Sequence, residues 1–337
     1  MLTEDDRLIL RLIAADDRHV AARTALQLGV TRQAASSRLA RLRKQGLVAS
    51  TGRGVSTRYT LTTLVERHQS YPRAGLQEHL VWREFFLSML RDLPANVLGM
   101  WEYTITEMVN NAVEHSGAET VLVGLRRNAL RAESYVSDDG EGIFLKIQRA
   151  LNLIDPHESI LELAKGKLTT DPDNHTGEGI FFSSKAMEMF DIRSGRLHFV
   201  HDDGCEDWLL ERPADAPGTL VMMGLTHDNP CTIKSVFDQF TAPEEYSFAK
   251  TMVPVRLAQY EGESLVSRSQ AKRLTMRFEK FQTVVLDFDG VAEIGQAFAD
   301  EVFRVFQQTH PQTTLVAVNP TPAVDDMIQR ARSGLRP

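Results

Sequence analysis

Residues 101–116 read WEYTITEMVNNAVEHS, and the fold turns on how this stretch is read. Ile105, Met108, Val109 and Ala112 recur at i, i+3, i+4 and i+7, the spacing of one apolar helix face. Glu107, Asn111 and His115 are four apart and share a different, polar face. The pattern predicts a helix over 97–115. A carboxylate and an amide one turn apart can set a general base near a magnesium ligand. Taken alone, the pair is better explained as an exposed polar helix face.

On the amino-terminal side, an apolar-rich helix is expected over 76–92, closed by Leu93-Pro94. On the carboxy-terminal side, strands are expected at 120–127 and 131–137. The second runs into Asp138-Asp139-Gly140-Glu141-Gly142-Ile143, whose glycines would let the backbone approach a flat base closely. Further on, His175-Thr176-Gly177-Glu178-Gly179-Ile180 opens a helix near 179–190. The free N–H groups and positive dipole end of such a helix favour phosphate. A hairpin across His201-Asp202-Asp203-Gly204 and a strand at 219–225 complete the block. Each Gly-x-Gly alone reads as a tight turn, and Asp138 alone as a turn cap. Helices and strands mixed in this way imply an α+β sandwich.

In this order the three elements resemble the N, G1 and G2 boxes of the GHKL ATPases (gyrase, MutL, histidine kinase), and Gly218-Thr219 resembles the final box. The resemblance covers about residues 76–225 and implies a Bergerat-type α/β sandwich that binds ATP and Mg2+. It implies that Glu107 orients or deprotonates the attacking water and that Asn111 holds magnesium. Asp138 would accept from the adenine amino group with support from Thr219, while Gly140, Gly142 and Ile143 flank the base. Thr176, Gly177 and Gly179 would face the phosphates. The stretch from Leu145 to His175 would be a mobile lid, with Lys165 and Lys167 as solvated lid lysines. His115 is read as a pocket or packing residue. Family members include hydrolases, histidine kinases and serine kinases. No dimerisation-phosphoacceptor helix pair precedes the block, which argues against a histidine kinase.

The first 62 residues carry eleven Lys and Arg against five Asp and Glu, on a chain whose net charge is −7. Residues 31–60 hold seven basic side chains and no acid, which suggests a local polyanion-binding surface. Helices are expected over 3–14, 19–28 and from an N-cap at Thr31 to about Gln45, followed by two short strands around the turn STGRGVST. This order resembles a winged helix-turn-helix domain (1–62). The resemblance implies double-stranded DNA as partner, through residues 31–60. Arg32, Gln33, Ser36 and Ser37 would meet base edges, and Arg41, Arg43, Arg53 and Arg58 phosphates. Residues 63–75, with Pro72, read as a linker.

After Pro230 the pattern changes again: strand 284–288, helix 295–308, strand 314–318, helix 322–332. VVLDFDGVAEIGQAFADEVF resembles the phosphoacceptor region of STAS domains, a likeness spanning about 245–333. Those domains carry a serine at the helix start, whereas Gly295, Gln296, Ala297 and Phe298 stand here without a hydroxyl. The segment is read as a packing or partner-binding module, and Asp287 and Asp289 as turn formers.

The expected whole is multidomain α+β: winged helix, Bergerat ATPase (76–228), then a small α/β STAS-like unit (245–333). No apolar run approaches the ~18 residues of a membrane span, the amino terminus does not look like a secretory signal, and Cys205 and Cys231 have no zinc or disulfide spacing. A cytoplasmic setting and no membrane partner are expected. The function expected first is a transcription regulator whose Mg-ATP state controls the winged helix, with slow hydrolysis and a homodimer by analogy. The alternative is an anti-sigma-type serine/threonine kinase acting on a partner or on the last domain.

Overall fold

A computed structural model of the chain describes residues 2–168, 177–202, 208–211, 213, 215–241, 248–259 and 263–333. It is a multidomain α/β architecture with three separate sheets.

The amino-terminal unit contains helices α1 (Glu4–Ala15), α2 (Val20–Leu28) and α3 (Arg32–Lys44), then the antiparallel strands β1 (Val48–Thr51) and β2 (Arg58–Leu61). Thr3 and Asp6 form a reciprocal capping box on α1, and the Thr31 hydroxyl accepts the Ala34 amide at 3.2 Å to start α3. Ile9, Leu10, Ile13, Leu39, Leu42 and Val48 make its core, which also takes in Ala129 and Leu130 from the turn after Arg127. Arg7 and Arg11 reach Asp228 beside the same junction.

The central unit is a seven-stranded antiparallel sheet in the order β3-β4-β5-β9-β6-β7-β8. Its strands are β3 (Val65–Pro72), β4 (Thr120–Arg127), β5 (Arg131–Asp138), β6 (Met189–Ser194), β7 (Leu197–Asp202), β8 (Trp208–Glu211) and β9 (Thr219–Thr226). Helix α4 (Glu78–Val81) continues through a π turn (Trp82–Phe86) into α5 (Leu87–Leu90), followed by α6 (Ala95–His115). Helices α7 (Ile143–Leu151), α8 (Glu158–Lys165), α9 (Gly179–Ala186) and α10 (Ile233–Asp238) complete it. Alternation puts Val121, Val123, Val136, Val221, Met223, Phe190 and Ile192 on one buried face, beneath α6 and α9.

Residues 63–75 are therefore not a linker. β3 pairs with β4 over eight residues, from Val65↔Arg127 to Pro72↔Thr120. An edge strand flanked by water on its outer face is too polar to announce itself, and Pro72 is tolerated because it sits at the strand's end. The expected helix over 179–190 also stops early: α9 ends at Ala186, and 189–194 form β6, with Phe190 and Ile192 facing inward. β7 and β8 pair as a hairpin, but residues 203–207, including Gly204 and Cys205, lie outside the described residues.

The last unit has a parallel sheet in the order β10-β11-β12: β10 (Lys250–Pro254), β11 (Thr283–Asp287) and β12 (Thr314–Val318). Its helices are α11 (Arg268–Thr275), α12 (Gln296–Asp300) leading through a π segment (Glu301–Phe306) into α13 (Gln307–Thr309), and α14 (Pro322–Ser333). The expected elements from 284 onward are present within a residue or two; β10 and α11 were not foreseen. Asp287 accepts the Asp289 amide at 3.1 Å, as a turn former does. The Phe248 ring lies 4.7 Å from that of Phe181 on α9 and meets Phe281 before β11 edge-on at 5.4 Å, so the cores of the last two units are continuous. Among the described residues, no helix is long and apolar enough to cross a membrane.

Candidate functional site

A cleft of about 330 Å³ opens between α6, the inner sheet face and the start of α9, within the ~300–1,000 Å³ usual for ligand pockets. α6 buries Val97, Met100, Trp101, Thr104, Ile105, Met108, Val109 and Ala112 and turns Glu107, Asn111 and His115 into the cleft. The Glu107 carboxylate lies against the backbone of Gly179: a Cβ there would sit 1.9 Å from Oε2. The Asn111 Nδ2 is buried and has no hydrogen-bond partner among the described residues. This amide NH2 is a donor at the cleft wall, suited to an acceptor oxygen of a bound molecule.

Opposite α6, the end of β5 lies beside the start of β9, pairing Asp138 with Thr219. The Asp138 Oδ1 accepts the Gly140 amide at 2.9 Å, and the Thr219 hydroxyl accepts the Ile143 amide at 3.0 Å. Burial raises the Asp138 pKa above the ordinary carboxylate value, against the opposing pull of the Gly140 and Thr219 amides and the Thr219 hydroxyl. Gly218 makes this junction possible: its φ is +74°, and a Cβ would fall 1.9 Å from the Asp138 carbonyl oxygen. Carbonyl, amide and carboxylate thus converge at one end of the cleft.

Gly142, Ile143, Gly177, Gly179 and Thr219 all line the cleft with Glu107, Asn111 and Asp138. Gly140 does not. It packs beneath, on the Ser116 carbonyl, and contributes its amide to Asp138 instead. Thr176 and His175 lie outside the described residues. Sequence reasoning gave no role to Glu178 and Lys146, which also line the cleft. Burial raises the Glu178 carboxyl, with Lys167 opposing, while the Lys146 ammonium donates to the His115 carbonyl at 2.5 Å. Lys146 stands three residues after Ile143 on α7, so helical spacing could have found it. Tyr103 is raised by burial and by the neighbouring Glu107 and Glu178. Among the described residues, no group of three His, Cys, Asp or Glu could hold a metal alone. Magnesium here would need Asn111 together with oxygens of a ligand, the usual manner of Mg2+ at nucleotide sites.

Of the stretch expected as a lid, residues 169–175 lie outside the described residues. Residues 143–168 are largely helical, and α8 is buried on nearly every side. Lys165 is not solvated: at 0% exposure it bonds Glu162 at 2.5 Å and the carbonyls of Arg273 and Met276. Lys167 donates to the Lys280 carbonyl and lies over Phe248 and Phe281.

On the amino-terminal unit, Arg32, Gln33, Ser36, Ser37, Arg43 and Lys44 are exposed on α3, and Arg53 is exposed in the hairpin turn. Arg41 is engaged by the buried Asp6, Arg38 by Asp5, and Arg58 by Asp17 at 3.1 Å. Burial would raise Asp6, but hydrogen bonds from Thr3 and the Arg41 guanidinium leave it below the ordinary carboxylate value. Arg41 and Arg58 are thus partly neutralised, and Arg32, Arg43, Lys44 and Arg53 carry most of the unbalanced charge of this face.

With the geometry in place, comparison with known families defines the class of the last unit: it is a STAS-like domain. Residues 270–325 match the family described as STAS-like domain of unknown function (DUF4325). No curated protein matches the chain.

Proposed function

We propose that this chain is a DNA-binding regulator that binds Mg-ATP in the central cleft and hydrolyses it slowly. The observation that carries the reading is the meeting of a half-buried carboxylate at Asp138, its Thr219 partner, the orphan Asn111 amide and Glu107 in one cleft. In this reading Asp138 and Thr219 hold the exocyclic amine edge of a purine, with Gly142 and Ile143 beside the ring. Asn111 holds magnesium, which when bound neutralises phosphate charge. The amides at the start of α9, at Gly177 and Gly179, receive phosphate oxygens. Glu107, pressed on Gly179, takes the proton of a water at its Oε2. The three-helix unit with its basic hairpin is a winged helix-turn-helix: Arg32, Gln33, Ser36 and Ser37 face base edges while Arg43, Lys44 and Arg53 meet phosphates.

Control of DNA by nucleotide requires different ATP affinities in two arrangements of the chain. The test is duplex affinity with and without a non-hydrolysable ATP analogue and magnesium. A shift supports the reading, and equal affinities reject it. The STAS-like character of the last unit favours a second reading, a protein serine/threonine kinase. The start of α12, Gly295-Gln296-Ala297-Phe298, offers no hydroxyl for phosphorylation in cis. Incubation with γ-labelled ATP separates the two, since label on protein marks a kinase and free phosphate an ATPase.

A further inference from the structure

We propose that Arg277 of the STAS-like domain is a positioning residue for the cleft, fixing the segment Gly166–Leu168 that holds Gly177 in place. Its functional consequence rests on the nucleotide reading above.

The chain of contacts is continuous. Arg277 is 8% exposed, and its Nη1 donates to Glu162 on α8 at 2.8 Å. Its Nη2 donates to the Gly166 carbonyl at 2.9 Å and to the Lys167 carbonyl. One planar guanidinium therefore grips a carboxylate and two consecutive carbonyls, a task its fixed fork suits and an ammonium cannot copy. The next residue, Leu168, donates its amide to the Gly177 carbonyl at 2.9 Å. Gly177 has φ +70° and lies so close that a Cβ would stand 2.3 Å from the Leu168 carbonyl carbon. Leu168, Gly177 and Glu178 all line the cleft. From Arg277 to the cleft wall there are thus only two hydrogen-bonded steps.

Two further observations mark the junction as a constrained one. Arg277 and Lys167, which face each other, are both non-glycine residues with positive φ, +67° and +50°. Left-handed backbone at bulky residues persists only where surrounding contacts impose it, and it clusters at functional positions. The same domain also holds the end of α8 through Thr251, whose hydroxyl donates to the Lys165 carbonyl at 2.7 Å. Loss of these grips frees Leu168 and Gly177, so the conformation that presents the Gly177 wall becomes less populated. By linkage, a partner that draws on the STAS-like domain alters nucleotide affinity, and nucleotide alters partner affinity.

The test uses the full chain in four variants: Arg277→Ala, Arg277→Lys, Thr251→Val and Thr321→Val. Thr321 caps α14 away from the junction, so its substitution weakens the same domain without touching α8. Hydrogen exchange at the Leu168 amide is read in ligand-free protein, and the Kd for a non-hydrolysable ATP analogue with magnesium is read separately. Arg277→Ala is expected to speed exchange and raise Kd about tenfold, Arg277→Lys to fall between, and Thr251→Val to move both in the same direction. Thr321→Val leaves both unchanged. Wild-type exchange and Kd in Arg277→Ala, or equal changes in Thr321→Val, overturn the proposal. If Arg277→Ala does not fold, Thr251→Val decides by the same criteria. If the wild type binds no adenine nucleotide, the reading of the cleft fails, and the exchange result alone decides the positioning role.

Discussion

Glu162 bridges two buried cations, with Lys165 at 2.5 Å and Arg277 at 2.8 Å, and both it and Lys165 are essentially inaccessible to water. Removing its charge by Glu162→Gln leaves two uncompensated cations in the interior, a change that costs about 3–5 kcal/mol. Lys165→Met removes the opposite member. The apolar stem is kept and Glu162 remains matched by Arg277, while the Glu162 Oε1 and the Arg273 and Met276 carbonyls lose a donor. That loss, offset by relief of a desolvated ammonium, is worth at most about 2 kcal/mol. Burial lowers the Lys165 pKa although Glu162 opposes it. Urea denaturation of the two variants and the wild type, compared at equal m-values, measures the order. A Lys165→Met variant as unstable as Glu162→Gln would refute the reasoning, because the ammonium and not the shared carboxylate would then organise the junction.

Gly179→Ala places a Cβ where the Glu107 carboxylate lies; phosphate release is expected to fall at least about tenfold as the base is displaced, and an unchanged rate would remove Glu107 from that role. Arg43→Ala with Lys44→Ala removes two exposed charges from α3; the slope of log affinity against log salt for duplex DNA should drop by about 2. Burial, followed by the Arg127 charge, pushes His227 from 6.5 down to about 4. The folded protein therefore keeps it neutral while the unfolded chain protonates it. The associated stability is complete above pH 6.5 and lost as pH falls toward 4, on the order of 3 kcal/mol. Unfolding midpoints across this window should flatten in His227→Gln, and an unaltered slope would show that other groups govern it.

The helix α6 was legible because its apolar and polar faces separate at the 3.6-residue period, and the clefts of Gly218-Thr219 and Asp138 because glycine marks backbone crossings. What was hidden depends on partners distant in sequence. β3 presents mostly polar side chains, and only its pairing with β4 makes it a strand. Lys165 and Lys167 look like surface lysines in sequence, and nothing local reveals the Arg273 and Met276 carbonyls or Phe281 waiting for them. Gly140 was expected beside the ligand because it shares a motif with Gly142, yet the turn between them sends it down onto Ser116. Arg41 and Arg58 were counted as phosphate contacts because Asp6 and Asp17 lie far away in the chain though adjacent in the fold.

Calorimetric titration of the full chain with Mg-ATP, set beside Asp138→Asn, bears most directly on the cleft. The wild type should bind. The variant, which keeps the side chain's shape but turns a purely accepting group partly into a donor, should lose about 1.5–3 kcal/mol, or roughly 10- to 150-fold in affinity. No heat of binding from the wild type at millimolar ATP, or equal affinity in the two proteins, would contradict the assignment of this cleft to an adenine nucleotide.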